Sequence, residues 1–201
     1  MLRRLIASLL AASCVALPEL ALAADVLSAK ARLKSCQAPV ALAAAKDILN
    51  DARTLNDPLE MFWPALTLFQ SGEKDEALFW FYAAQLRLRY QQAVAPSSEL
   101  GQLLQVMLMT VVPPINNYGF QDVSRLDRQL ERVLAWDRAT PNPLREKSPE
   151  PKTQLRIDQV YTGFRELRAR LQREQGELEA QAKAAAAQME QMAAQMRPRP
   201  C

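Results

Sequence analysis

The sequence predicts an all-α protein, an antiparallel helical bundle with a long C-terminal helix. Its composition is the first indication, because Ala, Leu, Gln, Arg and Glu are abundant and only five glycines occur in 201 residues. Apolar residues also recur at helical spacing along most of the chain. The third indication is Gly72, which separates two apolar segments at 57–71 and 73–90 and predicts a helical hairpin.

Residues 1–23 are predicted to be a cleaved export signal. Arg3 and Arg4 precede an uncharged apolar segment at 5–17, and the Ala-Leu-Ala sequence at 21–23 fits a cleavage site. We therefore expect a mature chain that is exported to the periplasm of a Gram-negative-type cell.

The sequence allows two alternatives to a cleaved signal. A membrane span is disfavoured because Pro18 and Glu19 interrupt the apolar segment before it reaches the roughly 20 residues that a span requires. A lipoprotein is the second alternative, since residues 10–14 resemble a lipobox that ends at Cys14. This segment departs from the usual lipobox at Ala11, where Leu, Val or Ile is expected.

The chain after the signal divides into three parts. Residues 24–139 are predicted to form a helical core domain, because apolar periodicity alternates there with helix caps. Residues 140–153 contain four prolines and are predicted to be a linker or a loop on the surface. Residues 154–201 are predicted to form the long C-terminal helix and a tail, since no proline occurs between 154 and 196.

Two segments of the core domain carry specific predictions. The helix at 99–111 is apolar on most sides, so we predict that it is the central buried helix. Segment 113–120 begins with two prolines and contains Asn116, Asn117 and Tyr118. We predict an irregular structure there, which is either a contact loop or a rigid connector that tucks its rings under the core.

The two halves of the C-terminal helix differ in character. The first half is amphipathic and is predicted to dock on the hairpin. The second half, 177–196, is rich in Ala, Gln and Met, and Met189, Met192 and Met196 share one helical face. This half is either an arm that contacts a partner or a second copy of the protein, or an exposed helix that frays.

Two cysteines remain after removal of the signal, Cys36 and Cys201. An oxidising compartment permits a disulfide between them, which in the chain-entropy model contributes on the order of 4–5 kcal/mol. The alternative is a pair of free thiols.

The composition argues against several classes of function. Removal of residues 1–23 takes away Arg3, Arg4 and Glu19, so the net charge changes from +3 to +2, too low for electrostatic binding of nucleic acid. The chain has no histidine, which excludes Ser–His and Cys–His catalysis and the commonest zinc ligand. A hydrolase based on carboxylates such as Asp75 and Glu76 is the weakest hypothesis. We predict no catalytic activity, no cofactor and no metal.

Aromatic residues are concentrated in the hairpin. Four consecutive rings at 79–82 point to different sides of one helix, so at least one side meets a second packing layer or an external partner. Arginine together with such rings is enriched at hot spots of protein interfaces. We therefore predict a partner-binding site made of Trp63, Trp80, Tyr82, Arg87, Arg89, Asn116, Asn117 and Tyr118. The alternative is an interior helix between two layers.

The hairpin resembles a single tetratricopeptide unit. The match rests on the G-x-x-D-E-A turn at 72–77 and on small or bulky residues at Ala65, Leu68, Ala77, Phe81 and Ala84. The sequence departs from that pattern at Met61, Pro64 and Arg89. The resemblance implies a pair of antiparallel helices, and an ordinary helix pair explains the same small residues.

The chain is also similar to small exported helical proteins, the immunity proteins encoded beside type VI secretion effectors. The similarity lies in the DEALFWFYAAQLRLRY sequence at 75–90 and in the NNYGF segment at 116–120. It implies a periplasmic protein that neutralises a secreted toxin by occluding it. The alternative is a structural or assembly adaptor of the cell envelope that self-associates through its C-terminal helix. Neither hypothesis involves a membrane span.

Overall fold

The structure, a computed structural model, describes residues 28–51, 54–109, 112–146 and 150–196. In these ranges all regular elements are helical, which confirms the predicted all-α class. Residues 28–33 are helical and precede the labelled helices. These are α1 (Ala38–Asn50), α2 (Phe62–Gln70), α3 (Lys74–Val94), α4 (Ser98–Met109), α5 (Val112–Phe120), α6 (Val123–Ala139), α7 (Pro143–Glu146), α8 (Pro151–Arg173) and α9 (Gln175–Gln195). Short 3₁₀ helices lie at Thr54–Asn56 and Pro58–Met61.

Several predictions concern segments outside the described ranges. They are the export signal at 1–23, the lipobox at Cys14, and Cys201. Within the described ranges, none of the helices has both the length and the apolar character that crossing a bilayer requires.

The predicted hairpin around Gly72 is present, formed by α2 and α3. Gly72 has a φ of +88°, in the left-handed region that favours glycine. The Glu73 N–H donates to the Leu68 carbonyl over 3.0 Å, and the Gly72 N–H donates to the Phe69 carbonyl over 3.1 Å. These two hydrogen bonds define a Schellman motif. They end α2 and turn the chain directly into α3.

The central buried helix is α3 and not α4, so the prediction for 99–111 was wrong. Every residue from 77 to 88 except Trp80 is buried. In contrast, α4 packs mainly against α5 and buries only one side, with Leu100 and Met107 in the core. Leu103, next to the packed side, and Met109, on the opposite side, are exposed. Apolar residues on most sides of α4 therefore do not reflect a central position.

Segment 113–120, predicted to be irregular, belongs to α5. Pro113 and Pro114 lie in the first turn of this helix, where proline removes no intrahelical hydrogen bond. The helix crosses closely against α3 at Gly119, because a Cβ there would lie 3.0 Å from Cδ1 of Leu78. The two prolines therefore lie at the start of a helix, and the prediction of an irregular segment was wrong.

The predicted single C-terminal helix is two helices, α8 and α9, separated at Glu174. The backbone of Glu174 leaves the helical region, with φ of −107° and ψ of 14°. The break lets α9 turn back and pack along α5. Helix α8 begins at Pro151, and the short helix α7 lies within the predicted linker at 140–153.

Helix α9 is docked on the body of the protein along its length. The Asn117 side chain donates to the Ala182 carbonyl over 2.9 Å, and the Gln70 side chain donates to the Ala193 carbonyl over 2.6 Å and to the Met196 carbonyl. Ala182 and Ala193 are buried at the contact. Their small side chains allow close packing, so this half of the chain is docked and not frayed, and its contact with a partner or a second copy stays a prediction.

Cys36 forms a disulfide bond. The cysteine that pairs with it lies outside the described residues, and the pairing with Cys201 stays a prediction. Cys36 lines a groove of about 750 Å³, and Ala193 and Ala194 of α9 line the same groove. The last described turn of α9 is therefore close to Cys36, and Met196 is five residues from Cys201 in the sequence.

We expect the Cys36 bond to join the C-terminus to the segment before α1. Proteolysis of the purified protein without reduction, followed by mass spectrometry, should yield a peptide pair that contains Cys36 and Cys201 and separates on reduction. A free Cys201 thiol in the purified protein would contradict this pairing. A Cys36→Ser variant serves as the control, because its Cys201 should be fully alkylated without reduction.

Candidate functional site

The predicted aromatic site is mostly interior. Trp80 is half-buried and packs edge-to-face on Phe79 and Trp136, with ring centroids 5.0 and 5.6 Å away. Tyr82 is buried, and its hydroxyl donates to Oδ1 of Asn116 over 2.8 Å. In the predicted site, Trp63 is the aromatic residue with a large exposed fraction, 39%. The rings of α3 therefore meet a second packing layer, as the alternative interpretation stated.

Arg87, predicted to contact a partner, is also interior, with only 2% of its surface exposed. Its Nε donates to Oδ1 of Asp137 over 3.1 Å, and its two terminal nitrogens donate to the carbonyls of Leu55 (2.8 Å) and Pro141 (3.2 Å). The guanidinium also lies 4.5 Å from the centroid of the Trp136 ring. Because these contacts occupy Arg87 inside the fold, it cannot form part of a binding surface.

Asp137 is the centre of a buried polar network. Oδ2 of Asp137 accepts hydrogen bonds from the Tyr161 hydroxyl over 2.7 Å and from the Tyr90 hydroxyl over 3.3 Å. Nη1 of Arg145 lies 3.4 Å from the same oxygen. We call Arg87, Tyr90, Asp137, Arg145 and Tyr161 the Asp137 network. It joins α3, α6, α7 and α8. Burial lowers the pKa of Arg87, an effect that the adjacent carboxylate opposes.

The remaining predicted residues take structural positions as well. Arg89 is exposed, with its guanidinium 5.8 Å from the Phe164 ring. Asn117 holds α9 through its bond to Ala182. Tyr118 donates to Oδ1 of Asp75 over 3.0 Å, and the Arg125 guanidinium covers its ring at 3.9 Å. The predicted residues therefore do not converge on one surface.

The structure instead exposes an apolar surface on α4. Leu103 is 42% exposed and Met109 is 65% exposed, and Val106 lies between them at 56%. We call this the α4 surface. Sequence reasoning missed it because the apolar character of α4 was interpreted as burial on all sides. The fold shows that one side packs through Leu100 and Met107 and the other faces outward.

Within the described ranges, no group of three or more His, Cys, Asp and Glu side chains is arranged to hold a metal ion. Comparisons with protein-family models, with curated proteins and with solved structures found no significant match to this chain.

The Arg87–Asp137 pair should be important for stability. Replacement of Arg87 by Met leaves a buried carboxylate without its main partner and is expected to lower the free energy of unfolding by about 3–5 kcal/mol. Arg89 lies two residues further along the same helix and is exposed. Its replacement by Met should change the free energy of unfolding by less than about 0.5 kcal/mol. Urea unfolding followed by circular dichroism measures both values. Similar small changes in the two variants would contradict the buried position of Arg87.

All four tyrosines have a pKa raised above the ordinary value of 10.0, chiefly because of burial. A tyrosine whose pKa is higher in the folded state contributes stability below its unfolded pKa, and this contribution is lost as the pH rises through the folded pKa. Stability should therefore fall as the pH rises above about 10. The partly exposed Tyr118 should ionise first, and Tyr82 and Tyr90 only with unfolding.

Absorbance of tyrosinate, recorded together with the helical circular dichroism signal, tests this order of ionisation. Tyr118→Phe should remove the early phase and leave the later, cooperative phase. Ionisation of all four tyrosines near the unfolded pKa while the helical signal persists would contradict the described burial.

Proposed function

We propose that this protein binds another protein through the α4 surface. The observation that carries the proposal is the exposure of Leu103, Val106 and Met109 on a helix that Leu100 and Met107 anchor in the core. Within the described ranges, the large hydrophobic residues with high exposure are Trp63, Leu103, Val106, Met109 and Leu155. Three of these five residues belong to α4, so the exposed apolar area is concentrated there.

The attachment of α4 supports a binding role. Leu100 and Met107 are each 8% exposed and hold the helix on the core, while Leu103 and Met109 face outward. A helix that is anchored on one side presents its other side without a large ordering cost on association. Leu103, Val106 and Met109 follow one another at intervals of three residues, so they form a continuous apolar stripe of the kind that helix-in-groove recognition uses.

Within this class, we infer an immunity protein that occludes a secreted toxin. The predicted export signal and the similarity to type VI secretion immunity proteins support this inference. The alternative is an adaptor in envelope assembly, which the half-buried Met189 and Met192 of α9 favour, since part of each side chain remains accessible. The two functions differ in partner and in oligomeric state.

The decisive experiment is titration of purified products of neighbouring genes with the wild-type protein and with a Leu103→Ser, Met109→Ser double variant. We expect the double variant to lose affinity at least tenfold, roughly the effect of removing two apolar anchors. Its unfolding free energy should change by less than about 0.5 kcal/mol, because both side chains are exposed.

Trp63→Ser is the matched control for an exposed apolar residue elsewhere on the body. Loss of binding in Trp63→Ser and not in the double variant would place the interface outside the α4 surface and contradict the proposal. Restoration of toxin activity by the double variant would support the immunity function. A stable oligomer in sedimentation, lost on truncation at Glu177, would support the envelope adaptor instead.

A further inference from the structure

A second pocket, distinct from the α4 surface, lies between α6, α7 and α8. Its volume is about 680 Å³, and it is lined by Arg138, Arg145, Asp158, Tyr161 and Arg165. We call it the arginine pocket. Arg138 is contributed by α6, Arg145 by α7 and Arg165 by α8. Their convergence is therefore a product of the tertiary fold and not of local sequence.

Two of these arginines have no acidic partner among the residues that the structure describes. Arg138 and Arg165 are exposed, and within the described ranges neither has a carboxylate oxygen within ion-pair distance. The Arg138 guanidinium lies 5.7 Å from the centroid of the Tyr161 ring, and Arg165 donates to the Thr162 hydroxyl over 2.9 Å. Two other arginines of the same helices are paired, since Arg132 binds Glu76 and Arg168 binds Asp127.

The third arginine is fixed before any ligand arrives. Nη1 of Arg145 donates to the Asp137 carbonyl over 2.7 Å, and Nη2 donates to the Thr140 carbonyl over 3.2 Å. Neutral carbonyl oxygens orient the guanidinium without cancelling its charge, and its carboxylate neighbour, Asp137, is shared with Arg87. Such preorganisation lowers the entropy cost of binding.

The charge balance of the pocket is positive. Asp158 is the acidic residue among those that line it, and its Oδ1 accepts a hydrogen bond from Gln154 over 3.2 Å. Three guanidinium groups therefore face one carboxylate at the lining. Guanidinium groups bind tetrahedral oxyanions through pairs of N–H donors in a fixed fork.

We propose that the arginine pocket binds a phosphate group, with Arg138 and Arg165 as the primary contacts and Arg145 as a fixed cation behind them. The volume leaves room for the rest of a phosphorylated molecule, which is either a soluble phosphate monoester or an anionic lipid with a phosphate headgroup. This site is independent of the proposed protein-binding function, because it uses none of the residues of α4.

The first test measures binding of inorganic phosphate to the full exported chain by calorimetry, with sodium chloride of equal ionic strength as the reference. The test variant is Arg138→Gln plus Arg165→Gln. The matched control is Arg128→Gln plus Arg173→Gln, which removes two exposed arginines from the same two helices away from the pocket. We expect the test variant to weaken phosphate binding at least about tenfold and the control to change it less than about twofold.

Two results would overturn the proposal. One is that phosphate produces no more heat or thermal stabilisation than chloride does. The other is an equal loss of affinity in the test and control variants, which would indicate a general effect of net charge. All four substituted side chains are exposed, so both variants are expected to fold.

A second pair of measurements separates the two sources of phosphate. Phenyl phosphate serves as the soluble monoester, and vesicles of phosphatidylcholine with phosphatidic acid serve as the lipid surface, with pure phosphatidylcholine vesicles as the blank. If the wild-type protein cosediments with the acidic vesicles and the Arg138→Gln, Arg165→Gln variant does not, the ligand is a lipid headgroup. Binding of phenyl phosphate without cosedimentation would assign a soluble ligand.

Discussion

The arrangement of the helices depends on the buried pairing of Arg87 with Asp137. Removing a guanidinium and a carboxylate from water costs several kcal/mol per ion, so a pair of this kind persists only where other groups complete its hydrogen bonds. The carbonyls of Leu55 and Pro141 and the hydroxyls of Tyr90 and Tyr161 supply those bonds. Each partner comes from a different segment, and the network therefore sets the position of α6 and α8 relative to α3.

The same arrangement explains why the rings of α3 are interior. Four consecutive residues of a helix point in four directions, and here different neighbours meet them. Phe79 and Trp80 pack against Trp136 of α6, Phe81 packs against Phe62 of the hairpin, and Tyr82 reaches Asn116 of α5. The sequence predicts that a second layer or a partner packs around α3, but it does not show which of the two contacts the rings. Only the tertiary placement of α5 and α6 decides between a packing layer and a partner.

Local signals in the sequence were sufficient for the fold class and for the hairpin. The left-handed conformation of Gly72 can be expected from the sequence, because the hydrogen bonds that end a helix at a glycine involve neighbouring residues only. The position of α4 was not predictable in this way, since a central helix and an edge helix with an outward apolar side have the same apolar pattern. Pro113 and Pro114 were ambiguous for a similar reason, because proline is compatible both with a turn and with the first turn of a helix. The break at Glu174 has no marker such as proline, and it follows from the packing of α9 on α5.

The two candidate surfaces differ in their dependence on the core. The arginine pocket is coupled to the Asp137 network, because Arg145 belongs to both and Tyr161 lines the pocket while bonding the buried carboxylate. Any change that displaces Asp137 should therefore alter the geometry of the pocket as well as the stability of the fold. The α4 surface is attached through Leu100 and Met107 and shares no residue with the network. A protein partner on α4 and a phosphate group between α6 and α8 would accordingly depend on separate structural elements, and each surface can be changed without changing the other.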